Sequence, residues 1–218
     1  MEPGFWRSRW QKQEIGFHQA DYHGLLLAHW ADLKVPSGTD VFVPLCGKSL
    51  DMVWLAEQGH RVVGAELSEL AVDAFFAERG LVPDVRTEGV FTVKSTGPYE
   101  IWCGDFFEMP ADALRNVAGV FDRAALIALP PDMQQRYAEK IAEIVPATAP
   151  MLIITLEYDA AQMSGPPFTT PRAQVHNLYD ANFDVREIDC RDVMETHPHF
   201  AARGLTSLEE CAFVLRRR

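Results

Sequence analysis

The sequence predicts an α/β fold: an open, doubly wound and mostly parallel sheet with helices on both faces and a helical lid at its N-terminus. Three observations carry this reading. Val41-Phe42-Val43-Pro44-Leu45-Cys46-Gly47 is an apolar strand run that breaks at a glycine turn. A helical apolar face follows, and Val62-Val63-Gly64-Ala65-Glu66 is a second strand run that closes on a carboxylate. Two strands joined through a helix form a βαβ unit and lie parallel. Third, Pro150 to Tyr158 is apolar on both faces, as a central parallel strand must be.

The remaining elements follow in order. Trp6 and Trp10 stand one helical turn apart, so an N-terminal helix presents both rings on one face. Gly16 interrupts the pattern, and a second helix is expected over about Asp21 to Ala31, ended by Pro36-Ser37-Gly38. Met52, Val53, Leu55 and Ala56 make the helical face inside the βαβ unit, with Gly59 as its stop. Ser68 is placed to N-cap the helix holding Leu70, Ala71, Phe75 and Phe76. Residues 81–98 read as a hairpin excursion around Phe91-Thr92-Val93.

Strands are expected at Tyr99 to Cys103, releasing at Gly104-Asp105, and at Gly119 to Leu126, which carries the charged pair Asp122-Arg123. A helix from Asp132 to about Val145 precedes the central strand. Gly165-Pro166-Pro167-Phe168 then forms a stiff turn, because each proline fixes φ. A helix over Arg172 to Tyr179, strands at Phe183 to Asp189 and Cys211 to Leu215, and a solvated Arg216-Arg217-Arg218 tail complete the chain.

Ligands of such sheets bind outside the carboxyl ends of the strands, and an acid about 20 residues past the turn glycine is placed to meet a ribose. Glu66 lies nineteen residues after Gly47. The turn itself has no phosphate cradle. Phe42 stands where a triphosphate loop needs glycine, and Gly47, flanked by Leu45 and Ser49, is a single glycine where a dinucleotide turn needs three at G-x-G-x-x-G spacing. A ribose-reading acid without a pyrophosphate site points to an adenosine lacking phosphates, of which S-adenosylmethionine is the commonest cofactor. At the same edge, Asp105 can accept from an adenine amino group, Phe106 can cover the base, and Arg123 can hold an anion. Each also has a plainer reading: Glu66 solvated, Asp105 capping a turn, Arg123 paired with a neighbouring acid.

Composition bounds the rest. At 218 residues and 48% hydrophobic, the chain suffices for one domain, residues 1–218, with residues 1–35 as its cap. A net charge of -11 opposes binding to a nucleic-acid backbone. Four scattered cysteines, Cys46, Cys103, Cys190 and Cys211, form no C-x-x-C pair and are read as free thiols of a reducing cytoplasm. Neither a membrane span nor the apolar run of a leader is present, so no membrane partner is expected. His197 and His199 have no acidic or cysteine partner at diagnostic spacing, so no metal is assigned.

Assembled, these residues resemble the thiopurine S-methyltransferase family in its bacterial form. The likeness rests on Trp6 with Arg9-Trp10, Gly16-Phe17-His18, Val43 to Ser49 (Val-Pro-Leu-Cys-Gly-Lys-Ser), Gly59-His60 through Ser68, Phe121-Asp122-Arg123-Ala124-Ala125-Leu126 and Gly165-Pro166-Pro167-Phe168. It implies a Rossmann-like, mostly parallel seven-stranded sheet and S-adenosylmethionine as methyl donor. Position by position, it implies cofactor contacts from Trp10, Leu45, Gly47, Glu66 and Arg123, with Asp105 and Phe106 at the adenine loop. The implied acceptors are aromatic or heterocyclic thiols, thiopurines among them, and selenium or tellurium species; the expected reaction is in-line displacement with no covalent nucleophile, carried out by a monomer. Arg123 positions the anionic acceptor or the cofactor, and Arg123→Ala should weaken binding with the fold retained. Two alternatives stay open: a non-catalytic S-adenosylmethionine sensor and an NAD-type oxidoreductase.

Overall fold

The computed structural model describes residues 3–218; Met1 and Glu2, counted in the expected cap, lie outside the described residues. In chain order the elements begin with α1 (Pro3–Gln11), α2 (Gly24–His29), β1 (Asp40–Val43), α3 (Asp51–Glu57), β2 (Arg61–Glu66) and α4 (Glu69–Ala77). There follow β3 (Asp84–Glu88), β4 (Phe91–Thr96), β5 (Tyr99–Cys103), β6 (Val117–Arg123), α5 (Pro131–Ile144) and β7 (Met151–Glu157). The chain ends with α6 (Arg172–Tyr179), β8 (Phe183–Asp192), α7 (Pro198–Ala202) and β9 (Glu209–Arg217).

The described residues form one nine-stranded sheet in the order β3-β4-β5-β2-β1-β6-β7-β9-β8. Its middle, β5-β2-β1-β6-β7, is parallel, and both flanks are antiparallel. The order reverses between β1 and β6, which opens a crevice at their carboxyl ends. Seven strands are thus corrected to nine. The hairpin over residues 81–98 does not stand off as an excursion: Phe91 and Val93 are buried, and β4 zips along β5 from Thr92↔Cys103 to Thr96↔Tyr99.

Strand alternation builds the two sides of the core. Val41 and Val43 face the α2–α4 layer with Leu26, Met52 and Phe75, whereas Phe42 between them faces Tyr137, Ile141 and Val175 of α5 and α6. A third cluster, with Ile127, Leu156, Phe200 and Leu208, lies beneath the connection from β8 to β9.

Several expectations are corrected in detail. The second helix is only Gly24–His29, since the chain tightens into a 3-10 turn over Trp30–Leu33. Ser68 occupies the N-cap position of α4, but its side chain caps nothing; its backbone N–H instead donates to Glu66. Arg216 and Arg217 belong to β9 rather than to a tail, and the Arg217 guanidinium lies over the Phe183 ring at 5.0 Å. Cys190 and Cys211, read as free thiols, form a disulfide, because the β8–β9 register sets them directly opposite each other. Cys46 and Cys103 remain free. Among the described residues no helix is long and apolar enough to cross a membrane.

Alternation also splits the charged pair of β6. Asp122 turns into the α5 face, wholly buried, and accepts from Tyr137 Oη (2.7 Å) and the Leu126 N–H (3.2 Å). Burial pushes its carboxyl up to about 6, with the bonds from Tyr137 and the backbone pulling the other way. A pKa raised on folding means that the native state holds its proton longer. The group's contribution is therefore full below 3.8 and is lost as pH rises through about 6. Relative to Asp122→Asn, the wild type is expected to lose on the order of 3 kcal/mol of stability across that interval. Urea melts of both proteins at about pH 4 and about pH 7.5 measure it; parallel curves would refute the shift.

Candidate active site

The crevice at the strand ends is a cavity of about 550 Å³, within the range of roughly 300–1,000 Å³ usual for small-molecule sites. Trp10, Leu45, Gly47, Glu66, Asp105, Phe106 and Arg123, separated by as much as half the chain, all line it.

At the end of β1 the chain turns sharply. Leu45 holds φ +44° and Gly47 φ +53°, and at β6 Ala124 holds φ +60°. Left-handed backbone at a leucine and an alanine is strain that the surroundings must sustain, and both line this cavity, whereas Gln13 and Lys34 adopt it away from the crevice. Gly47 lies against the indole of Trp10: a Cβ there would come within 3.1 Å of Trp10 Cζ2. Trp10 is itself buried, standing edge-on to Phe17, which meets Trp6 in the same way on its other side. Gly47→Ala is therefore expected to combine about 1 kcal/mol of left-handed strain with displacement of this indole. Cofactor binding should weaken several-fold with little change in Tm, read by calorimetry and thermal unfolding together.

Glu66 ends β2 with its side chain almost wholly buried. Its Oε2 accepts from the Gly47 N–H (2.8 Å) and its Oε1 from the Ser68 N–H (2.7 Å). Burial raises its pKa, and the backbone donors of Ser68, Gly47 and Leu67 oppose the rise. Each oxygen keeps a lone pair for a hydroxyl donor from the cavity. The amide at the tip of the turn, which a phosphate would need, is spent on a carboxylate. This arrangement suits a diol and repels a pyrophosphate, which disfavours a dinucleotide and fits a phosphate-free adenosine.

Asp105 caps the turn after β5, with Oδ1 accepting from the Phe107 N–H at 3.0 Å. Phe106 is only 2% exposed and packs with Phe42 and Tyr137, so it forms a floor more than a cover. Phe107 is the more open ring there, with the Arg136 guanidinium 4.8 Å from its centroid. Arg123 points into the cavity but is no lone cation: its Nε donates to Asp51 Oδ2 (2.6 Å), Nη2 to Ser49 Oγ (3.0 Å) and Nη1 to the Phe17 carbonyl (3.3 Å). The His18 imidazole is pushed down by burial and by Lys48, so it is neutral near pH 7. Burial, reinforced by Glu66, drives the Cys46 thiol well up, which leaves it inert as a nucleophile.

A family model described as Thiopurine S-methyltransferase matches residues 1–218. The chain belongs to the thiopurine S-methyltransferase family. The thiopurine S-methyltransferase of Methylococcus capsulatus is 46% identical over 217 residues, covering 99% of this chain and 98% of that one. That of Bordetella petrii is 47% identical over 218 residues, covering all of both. Among solved structures, a SAM-dependent methyltransferase from Anabaena variabilis superposes with a TM-score of 0.67 at 12% identity, covering 99% of this chain and 95% of that chain. One from Thiobacillus denitrificans, in complex with S-adenosylhomocysteine, gives 0.64 at 15% identity, covering 97% and 98%. At such identities the likeness speaks for the fold.

Thiopurine S-methyltransferases are S-adenosylmethionine-dependent methyltransferases, and the edge holding Gly47 and Glu66, which has a buried carboxylate and no phosphate cradle, is the part of this chain that suits that donor. At the far end of the cavity, beyond β6, Pro166 and Pro167 of the stiff turn, a pocket wall already suggested by the sequence, are joined by Ile127, Leu156, His197 and Phe200, which the sequence did not point to. His197 and Phe200 come from the irregular connection between β8 and β9, and Phe200 packs in one cluster with Ile127, after β6, and Leu156, at the end of β7.

Proposed function

We propose that this methyltransferase moves the methyl group of S-adenosylmethionine onto the sulfur of small aromatic or heterocyclic thiols, thiopurines among them. In this reading the nucleoside lies over the ends of β1, β2 and β5, and the acceptor lies over β6, β7 and β9. The observation that carries it is the continuity of the cavity. One chamber runs from Glu66 to an apolar end walled by Leu156, Pro166, Pro167 and Phe200, which leaves room for a flat acceptor beside the donor.

When bound, the donor supplies a methyl group already activated by a positive sulfur. The chain's own residues then have to bind, align and exclude water. Glu66 accepts from ribose hydroxyls, Gly47 lets Trp10 close on the turn, and Asp105 and Phe106 line the adenine end. Trp6, Trp10 and Phe17 shut out water, which strengthens the charge interactions inside. Arg123 lines the cavity with two of its five N–H groups uncommitted among the described residues, and these are assigned to the donor's carboxylate or an anionic thiol. Acidic aromatic thiols arrive largely ionised, so no base is assigned. Selenium and tellurium species, softer nucleophiles than sulfur, suit the same displacement and are proposed as further acceptors.

Incubation with methyl-labelled S-adenosylmethionine and a panel of 6-thiopurine, thiophenol, phenol and aniline tests this. Label is expected on the two sulfur compounds. Label on phenol or aniline instead would overturn the assignment.

A further inference from the structure

We infer that Asp51 is a positioning residue for methyl transfer: its carboxylate aims Arg123 and, through the same group, fastens the loop that roofs the donor end of the cavity. The inference rests on the reading above, in which Arg123 touches the cofactor or the acceptor.

Asp51 opens α3 and is 1% exposed. An acid in a first helical turn commonly faces water, where the helix dipole favours it. This one is turned inward and fully subscribed. Its Oδ2 accepts from Arg123 Nε (2.6 Å) and Ser49 Oγ (3.0 Å), and its Oδ1 accepts from the His23 backbone N–H (2.9 Å). A guanidinium carries five N–H donors in a rigid plane. Asp51, Ser49 and Phe17 take three of them, which fixes the plane and decides which two face the cavity.

The same ion pair holds both ends of one loop. Arg123 grips the loop at the Phe17 carbonyl, and Asp51 grips it at the His23 amide. Between these points His18 and Gln19 line the cavity, and Phe17 carries the edge-on contacts to Trp6 and Trp10. A second tie, His23 Nε2 to Glu210 Oε1 at 3.0 Å, fixes the loop's far end to β9. An acid that served only to start α3 would have no reason to converge on a cavity-facing arginine and on the roof of the same cavity.

The test is a double-mutant cycle read by calorimetric titration with S-adenosylhomocysteine, which needs no acceptor. Asp51→Asn is expected to raise the dissociation constant about tenfold or more, and Asp51→Glu to recover part of that loss. In the Arg123→Gln background, Asp51→Asn should add almost nothing, because the group it aims is gone. Ser49→Ala, which removes the hydroxyl between the two, should weaken binding several-fold and serves if the Asp51 variants fail to fold. Hydrogen exchange at the His23 amide should quicken in Asp51→Asn. Full, multiplying losses in the double variant, or wild-type affinity in both Asp51→Asn and Ser49→Ala, would overturn the inference. If the wild type fails to bind S-adenosylhomocysteine, it is the cofactor reading that falls.

Discussion

Replacing Arg123 by alanine is expected to cost about 3–5 kcal/mol of stability and to weaken cofactor binding roughly 10- to 150-fold, within the range calorimetry still reads. From sequence alone the same substitution weakens binding on an intact fold. The difference is Asp51, whose buried carboxylate loses its only charged partner among the described residues while keeping the Ser49 hydroxyl and the His23 amide. An unpaired buried charge is far more costly than a neutral pair of similar shape. The two effects separate cleanly. Arg123→Met with Asp51→Leu removes both charges, so it should recover most of the stability in a urea melt while binding stays weak. If Arg123→Ala unfolded at the wild-type denaturant midpoint, Asp51 would have another counterion and the site geometry would be wrong.

Glu66→Gln is the second large effect. The amide keeps the shape, but one end now carries N–H groups that must face the Gly47 or the Ser68 amide, donor against donor. Hydrogen bonds to a charged acceptor contribute about 1.5–3 kcal/mol each, so the dissociation constant for S-adenosylhomocysteine should rise roughly 10- to 150-fold. A shifted turn should show as altered fluorescence of Trp10, which lies against Gly47. Unchanged affinity by titration calorimetry would remove Glu66 from the nucleoside site.

The framework was legible where local pattern and topology agree. Val41 to Glu66 carries apolar runs, a turn glycine and a terminal acid in order, so both strands and the ligand edge could be read before any contact was known. The flanks were not. β3 reads Asp-Val-Arg-Thr-Glu and is exposed along its whole length, so it carries no burial signal and joins the sheet through β4 alone. The Cys190–Cys211 bond depends on the register of β8 on β9, which no cysteine spacing encodes. Of the site, Arg123 was visible as a charge at a strand end, but its partner lies 72 residues earlier, inside what reads as an ordinary first helical turn. Pairings of this kind are tertiary facts. Sequence names the atoms that need partners and leaves the partners open.

The bond from the Gly47 amide to Glu66 has one more consequence. Adenine nucleotides and dinucleotides share the adenosine that this edge is proposed to bind, and they carry phosphates besides. By filling the turn with its own carboxylate, the chain meets every competitor's phosphates with a fixed negative charge and an amide already engaged. In the proposed function, discrimination is thus built into the resting backbone, ahead of any closing motion, and does not depend on how well the sulfonium itself is recognised.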